Sequence, residues 1–101
     1  MRYIVSNISP GMFRESSYAL LIDKIDYDEF YALSHDGGAY SCIGHKDISQ
    51  LTGLRYNKEP VQARIGDELL LAQIYHGCLR FYYYRVVESE QPITHEIIME
   101  A

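Results

Sequence analysis

Ala39-Tyr40-Ser41-Cys42-Ile43-Gly44-His45-Lys46-Asp47-Ile48 is the stretch whose reading decides the class of this chain. Residues 39–43 read as a short strand, entered from the strong turn Asp36-Gly37-Gly38. Beyond Gly44-His45 the pattern changes, because Ile48, Leu51 and Leu54 recur every third residue and predict an amphipathic helix over Lys46 to Leu54 with those three side chains inward. A strand that runs through a glycine directly into a helix belongs to a mixed α/β domain. The first turn of a helix leaves backbone N–H groups unpaired, and its dipole favours negative charge there. Gly44 would let a ligand approach the backbone closely. The turn is therefore expected to face an anion, with His45 able to give a proton near neutral pH. A lone histidine at a helix start is, as a base rate, more often a surface or capping residue.

Working outward, Arg2 to Ser6 reads as a strand ended by the turn Asn7-Ile8-Ser9-Pro10-Gly11. Ser9-Pro10-Gly11-Met12 is either a tight turn or a cover for a ligand. Ser17 to Ile25 is a second strand with the apolar run Ala19-Leu20-Leu21-Ile22. Asp26 can cap a helix that begins with Tyr27-Asp28-Glu29, and Tyr27, Phe30 and Leu33 should face its core. Asn57 to Pro60 is a polar connection and Val61 to Ile65 a further strand candidate. Gly66-Asp67 is a turn, and Glu68 to Tyr75 reads as the best buried strand. His76-Gly77 can make a two-residue hairpin turn into Cys78 to Val87. Alternation there places Leu79, Phe81, Tyr83 and Val87 on one face and Arg80, Tyr82 and Tyr84 on the other. Thr94 to Met99 could add an edge strand. The expected fold is a single small α/β domain over residues 1–101, with a mixed sheet of about five strands and two short helices.

The bulk numbers narrow the function. With 101 residues the chain suits one domain, and a core of that size leaves a thin stability margin that a homodimer would widen. A hydrophobic share of 48% and a charged share of 23% are those of a globular protein. The formal charge of −5 argues against duplex nucleic acid or an anionic membrane as partner. The two cysteines, Cys42 and Cys78, lack zinc spacing and read as small apolar strand residues. His35, His76 and His95 share no metal-ligand spacing and are expected in exposed turns or strands. No metal and no cofactor is implied. The start Met1-Arg2-Tyr3-Ile4-Val5 has no signal-peptide pattern, and no run approaches the roughly 18 apolar residues of a spanning helix. A reduced cytoplasmic setting is the resulting expectation. Ten tyrosines suit either half-buried sheet positions or a stacking surface for bases.

Several short motifs together resemble the viral ring nucleases, the type III anti-CRISPR family that destroys cyclic tetra-adenylate. Tyr3-Ile4-Val5-Ser6-Asn7, with Met12 shortly after, is similar to the family's first strand and its asparagine. Ser41-Cys42-Ile43-Gly44-His45 is similar to its Ser-x-Ile-Gly-His motif. Asn57-Lys58 stands where the family has Asn-Arg, and Gly66-Asp67 follows at the family's spacing. The resemblance implies a homodimer that binds the cyclic oligoadenylate symmetrically in the host cytoplasm and cleaves it without metal. The ribose 2′-hydroxyl attacks, and the motif histidine protonates the departing 5′-oxygen. It assigns the acid to His45 and ligand binding to Asn7, Ser41, Ile43, Gly44 and Lys58. One departure matters. The family carries an Arg-Glu pair in a loop where this chain has only Tyr75-His76-Gly77-Cys78, and Arg80 has no matching role. Lysine for arginine also replaces a bidentate fork with a point charge. Slow turnover, or a non-catalytic sponge for the messenger, is the alternative, and a small structural or regulatory dimer is a third.

Overall fold

A computed structural model describes residues 1–89 and 96–99 of the chain. Strands β1 (Arg2–Val5), β2 (Tyr18–Ile25), β3 (Ala39–Cys42), β4 (Glu68–Tyr75), β5 (Cys78–Glu88) and β6 (Glu96–Met99) form one mixed sheet in the order β3-β1-β4-β5-β2-β6. β1 runs parallel to both β3 and β4, whereas β5 is antiparallel to β4 and β2. This is the expected mixed sheet of about five strands, six in all with the edge strand. The sixth is the expected edge strand, which adds parallel to β2. Thr94 and His95 lie outside the described residues.

Both faces of the sheet are covered. Helices α1 (Tyr27–Ser34) and α2 (Lys46–Thr52) lie over one, where Ile4, Phe30, Ile43, Ile48, Leu70, Ala72 and Phe81 form a core. The opposite core of Val5, Tyr18, Leu20, Ile22, Leu69, Leu71 and Val86 is roofed by loop residues Ile8, Met12, Phe13, Val61 and Ala63. This explains why Leu69-Leu70-Leu71-Ala72 is continuously apolar: a strand buried on both sides has no face to give to water. The β5 alternation holds, with Phe81, Leu79 and Tyr83 toward the helices, but its other face is also packed, through Tyr82, Tyr84 and Val86. Those tyrosines are sheet residues.

Local signals explain the helices. The Asp26 carboxylate accepts the Glu29 N–H at 2.8 Å and starts α1. Gly53, in the left-handed conformation at φ 71°, ends α2. The hairpin turn after β4 places His76 at φ 50° and Gly77 at φ 78°, the positive pair that a tight antiparallel hairpin uses.

Several expectations are corrected. Val61 to Ile65 is not a strand. Its alternation is real, with Val61 and Ala63 buried and Gln62 and Arg64 exposed, but it lies across the sheet face. There it makes only a bridge to Phe13, with Ala63 N–H donating to Met12 O at 2.6 Å and Arg14 N–H to Ala63 O at 3.0 Å. α2 stops at Thr52 and Leu51 is 61% exposed, because two turns bring only Ile48 fully onto the core. Tyr27 is half exposed and its ring lies tilted against that of Phe81, with centroids 5.8 Å apart. β4 is buried only through Ala72, since Gln73, Ile74 and Tyr75 run out beyond the covering elements. Cys42 is buried and free, but Cys78 is exposed at the hairpin. His35 and His76 sit in exposed positions. Among the described residues no helix is long and apolar enough to cross a membrane.

Candidate functional site

At the carboxyl end of β1 the neighbouring chain paths part. The segment after β1 turns onto the loop-covered face, where Ile8 and Met12 pack, while the segment after β3 turns onto the helix face through Ile48. Such a divergence beside parallel strands opens a crevice at their carboxyl ends. Two hollows occupy it. The larger, about 450 Å³, is lined by Asn7, Met12, Cys42, Gly44, Lys58 and Glu59 among others. The smaller, about 250 Å³, is lined by His45, Ile48, Gln73, Ile74 and Tyr75. Ser6 lines both.

Asn7, Gly44 and Lys58, separated widely in sequence, therefore meet at one cavity. Lys58 is brought there by stitching of residues 55–58 to the end of β3. Ile43 and Tyr56 form a parallel bridge, Asn57 N–H donates to Ile43 O at 2.9 Å, and the Asn57 amide donates to Ser41 O at 3.1 Å. The Ser41 hydroxyl donates to Arg55 O at 2.6 Å. Ser41 thus spends its hydroxyl on the scaffold, and Ile43 is 0% exposed, with its side chain in the core. Gly44 lies so near Lys58 that an added Cβ would stand 3.6 Å from Lys58 Cγ, an ordinary contact.

His45 is exposed and caps α2: its Nδ1 accepts the Ile48 N–H at 3.4 Å. In the neutral ring the proton then sits on Nε2, the nitrogen pointing away from the capped amide. The capping reading is correct as far as Nδ1 is concerned. The expectation of a bare helix terminus is corrected: α2 has seven residues, and its Ile48 amide is already taken. Met12 closes one side of the larger cavity from a single 3-10 turn over Pro10–Met12, so that segment is a tight turn that also bounds the site.

Charge at the cavity is mixed, since Lys58 adjoins Glu59. The Tyr40 hydroxyl donates to Glu59 Oε2 at 2.9 Å and accepts the Asn57 amide at 3.4 Å. The bond to Glu59 raises the Tyr40 pKa, because losing the proton would leave two anions in contact. Burial, and then Glu59, push the Cys42 thiol up, which keeps it protonated and unreactive. Arg80 lies over the Tyr75 ring at 3.9 Å, beside the His45 hollow. Among the described residues no three His, Cys, Asp or Glu side chains gather as a metal would require.

Sequence reasoning missed Ser6, Glu59, Gln73 and Tyr75. Glu59 was within reach as the neighbour of Lys58. Gln73 and Tyr75 reach the site only because β4 lies next to β1, a pairing no local pattern reveals.

The fold and this crevice define a class: a small open α/β sheet with a candidate ligand site at the carboxyl ends of its parallel strands. Among solved structures, the chain is similar to B116 of Sulfolobus turreted icosahedral virus (STIV), with a TM-score of 0.68 and 24% identity over 83% of this chain and 97% of that one. That likeness establishes a fold shared with an archaeal-virus protein. No protein-family model and no curated protein matches the chain.

Proposed function

We propose that this chain is a viral ring nuclease, which binds cyclic tetra-adenylate in the host cytoplasm as a homodimer and cleaves it without metal. The observation that carries the reading is the meeting of Asn7, Gly44 and Lys58 at one cavity with His45 in the hollow beside it, joined at Ser6. Those are residues that the sequence resemblance assigns to ligand and acid, and the fold shared with a viral protein supports the same origin. A phosphate at Ser6 would have the Lys58 charge and the Asn7 amide on one side and the His45 imidazole on the other. The ribose 2′-hydroxyl attacks the phosphorus and His45 protonates the departing 5′-oxygen, leaving a 2′,3′-cyclic phosphate. The cavity does not need a broad positive field, which suits a chain of net charge −5.

A second reading has its own support. The tight His76-Gly77 turn leaves no loop with an Arg-Glu pair, and a lysine stands where a bidentate fork is usual. Fewer groups then stabilise the transition state than bind the ground state, and the chain acts as a sponge. Incubation with labelled cyclic tetra-adenylate in chelator, beside His45→Ala, separates the two. Cleavage lost in the variant supports the nuclease, tight binding without product supports the sponge, and absence of any binding defeats both. Light scattering with and without the ring reads the dimer.

A further inference from the structure

Cleavage of a phosphodiester by its own 2′-hydroxyl needs two proton movements, one off the nucleophile and one onto the leaving oxygen. The attacking and departing oxygens stand roughly in line across the phosphorus, so base and acid must approach from opposite sides. His45 serves one side. The larger cavity, which meets the His45 hollow at Ser6, has Glu59 as the one acidic residue in its lining. The other titratable groups there are poor bases near neutral pH: Cys42 is buried as a thiol and lysine is ordinarily protonated.

Glu59 is also held in place. Its Oε2 accepts the Tyr40 hydroxyl at 2.9 Å, and Tyr40 is steadied by the Asn57 amide at 3.4 Å. A base oriented by a second group, itself fixed by a third, is the arrangement that proton abstraction calls for. Among the described residues none donates to Oε1, which is left for a ligand.

We propose that Glu59 is the general base of this site, taking the ribose 2′-hydroxyl proton on Oε1 while Tyr40 positions it. The inference rests on the ring-nuclease reading above. The 2′-oxygen bonds to phosphorus as its proton passes to Glu59. The bond from phosphorus to the 5′-oxygen breaks, and that oxygen takes a proton from His45 in its imidazolium form, which returns to the neutral imidazole. Glu59 gains one proton, His45 loses one, and exchange with water resets both. The same carboxylate repels a phosphodiester that offers no hydroxyl in return, so it should select ribose over 2′-deoxyribose.

The test compares wild type, Glu59→Gln, Glu59→Ala and Tyr40→Phe on cyclic tetra-adenylate and its 2′-deoxy counterpart. Glu59 is an exposed loop residue, and unchanged thermal unfolding would verify folding. Glu59→Gln should slow single-turnover cleavage about 100- to 10,000-fold while the ring stays bound. Tyr40→Phe should give a smaller loss that adds nothing in the double variant. Wild type should prefer the ribose ring about tenfold or more, a preference that Glu59→Ala abolishes. This binding preference decides the matter even if no variant turns over. A ring cleaved by Glu59→Gln at the wild-type rate, or a ribose preference unchanged in Glu59→Ala, overturns the inference and leaves the ring-binding reading standing. No binding of the ring by wild type overturns both.

Discussion

Arg2 and Glu68 are register partners on β1 and β4, and the guanidinium grips the carboxylate through Nε and Nη2, each at 2.8 Å from Oε1. The same oxygen accepts the Tyr83 hydroxyl at 2.5 Å, while Arg2 Nη1 reaches Asp36 at 3.0 Å and Leu33 O at 3.2 Å. Arg2 thus ties β1 to β4 and the end of α1, and Glu68 extends the tie to Tyr83 on β5. It does so at the amino end of the parallel strands, opposite the crevice, where it fixes the register that aims Ser6 and Asn7.

This network predicts acid sensitivity. Burial works against the Glu68 charge, but the Tyr83 hydroxyl and Arg2 outweigh it and hold the carboxyl below its ordinary value. Asp36 is held low by the Gly38 N–H and then by Arg2. A carboxyl with a depressed folded pKa contributes stability that is present above its unfolded value and lost as pH falls through the folded one. Unfolding midpoints in urea should therefore fall as pH drops below about 4. Arg2→Ala should lower the midpoint near neutral pH and flatten that acid dependence.

The hairpin turn predicts a backbone effect. Gly77 at φ 78° takes a conformation that penalises a Cβ, although open space surrounds it. Gly77→Ala should cost about 1 kcal/mol by thermal or urea unfolding. His76→Asn should be neutral or slightly stabilising, because asparagine tolerates φ 50° better. Equal stability of Gly77→Ala and wild type would speak against this turn.

Two leucines should separate sharply. Leu70 is 0% exposed between helices and sheet, so Leu70→Ala should cost about 2–5 kcal/mol. Leu51, although spaced as a core residue, projects outward, and Leu51→Ala should change stability by no more than about 0.5 kcal/mol. Comparable losses at both positions would contradict the burial assigned to α2.

His45 caps α2 and is the proposed acid, and substitutions can separate the two roles. His45→Ala removes both the helix cap and the proposed acid, with about 0.5–1 kcal/mol lost to the missing cap. His45→Asn keeps a capping acceptor and should restore that stability without restoring cleavage. A ring still cleaved by the asparagine variant at the wild-type rate would remove His45 from the chemistry.

Lys58 should set affinity. Lys58→Ala should weaken ring binding about tenfold, whereas Lys58→Arg, which offers a fork in place of a point charge, should tighten it. Equal affinity across the three proteins by calorimetry would place the phosphate elsewhere.

Local patterns were enough for much of this molecule. The Asp26 cap, the Asp36-Gly37-Gly38 turn, the His76-Gly77 hairpin and the β4 apolar run each depend on residues close in the chain, and each stands where it was expected. Spacing misled at Leu51 and at Val61 to Ile65. A period of three reports one helical face but not how far the partner surface extends. An alternating segment can bury every second side chain on a sheet face without joining the sheet.

The sequence by itself determined the α/β class and the strand-to-helix unit through Gly44-His45, and it carries the short motifs on which the ring-nuclease proposal rests. Its capping and turn signals act over a few residues, so they are legible without knowing the rest. Only the tertiary structure decided that β1 lies between β3 and β4, which brings Ser6, Asn7, His45, Lys58 and Gln73 to one crevice. It alone turned the Ser41 hydroxyl into scaffold and placed Glu59 and His45 at two neighbouring hollows that share Ser6. The reason is physical: pairing between distant strands is chosen by how both sheet faces can be covered at once, and that is a property of the whole chain.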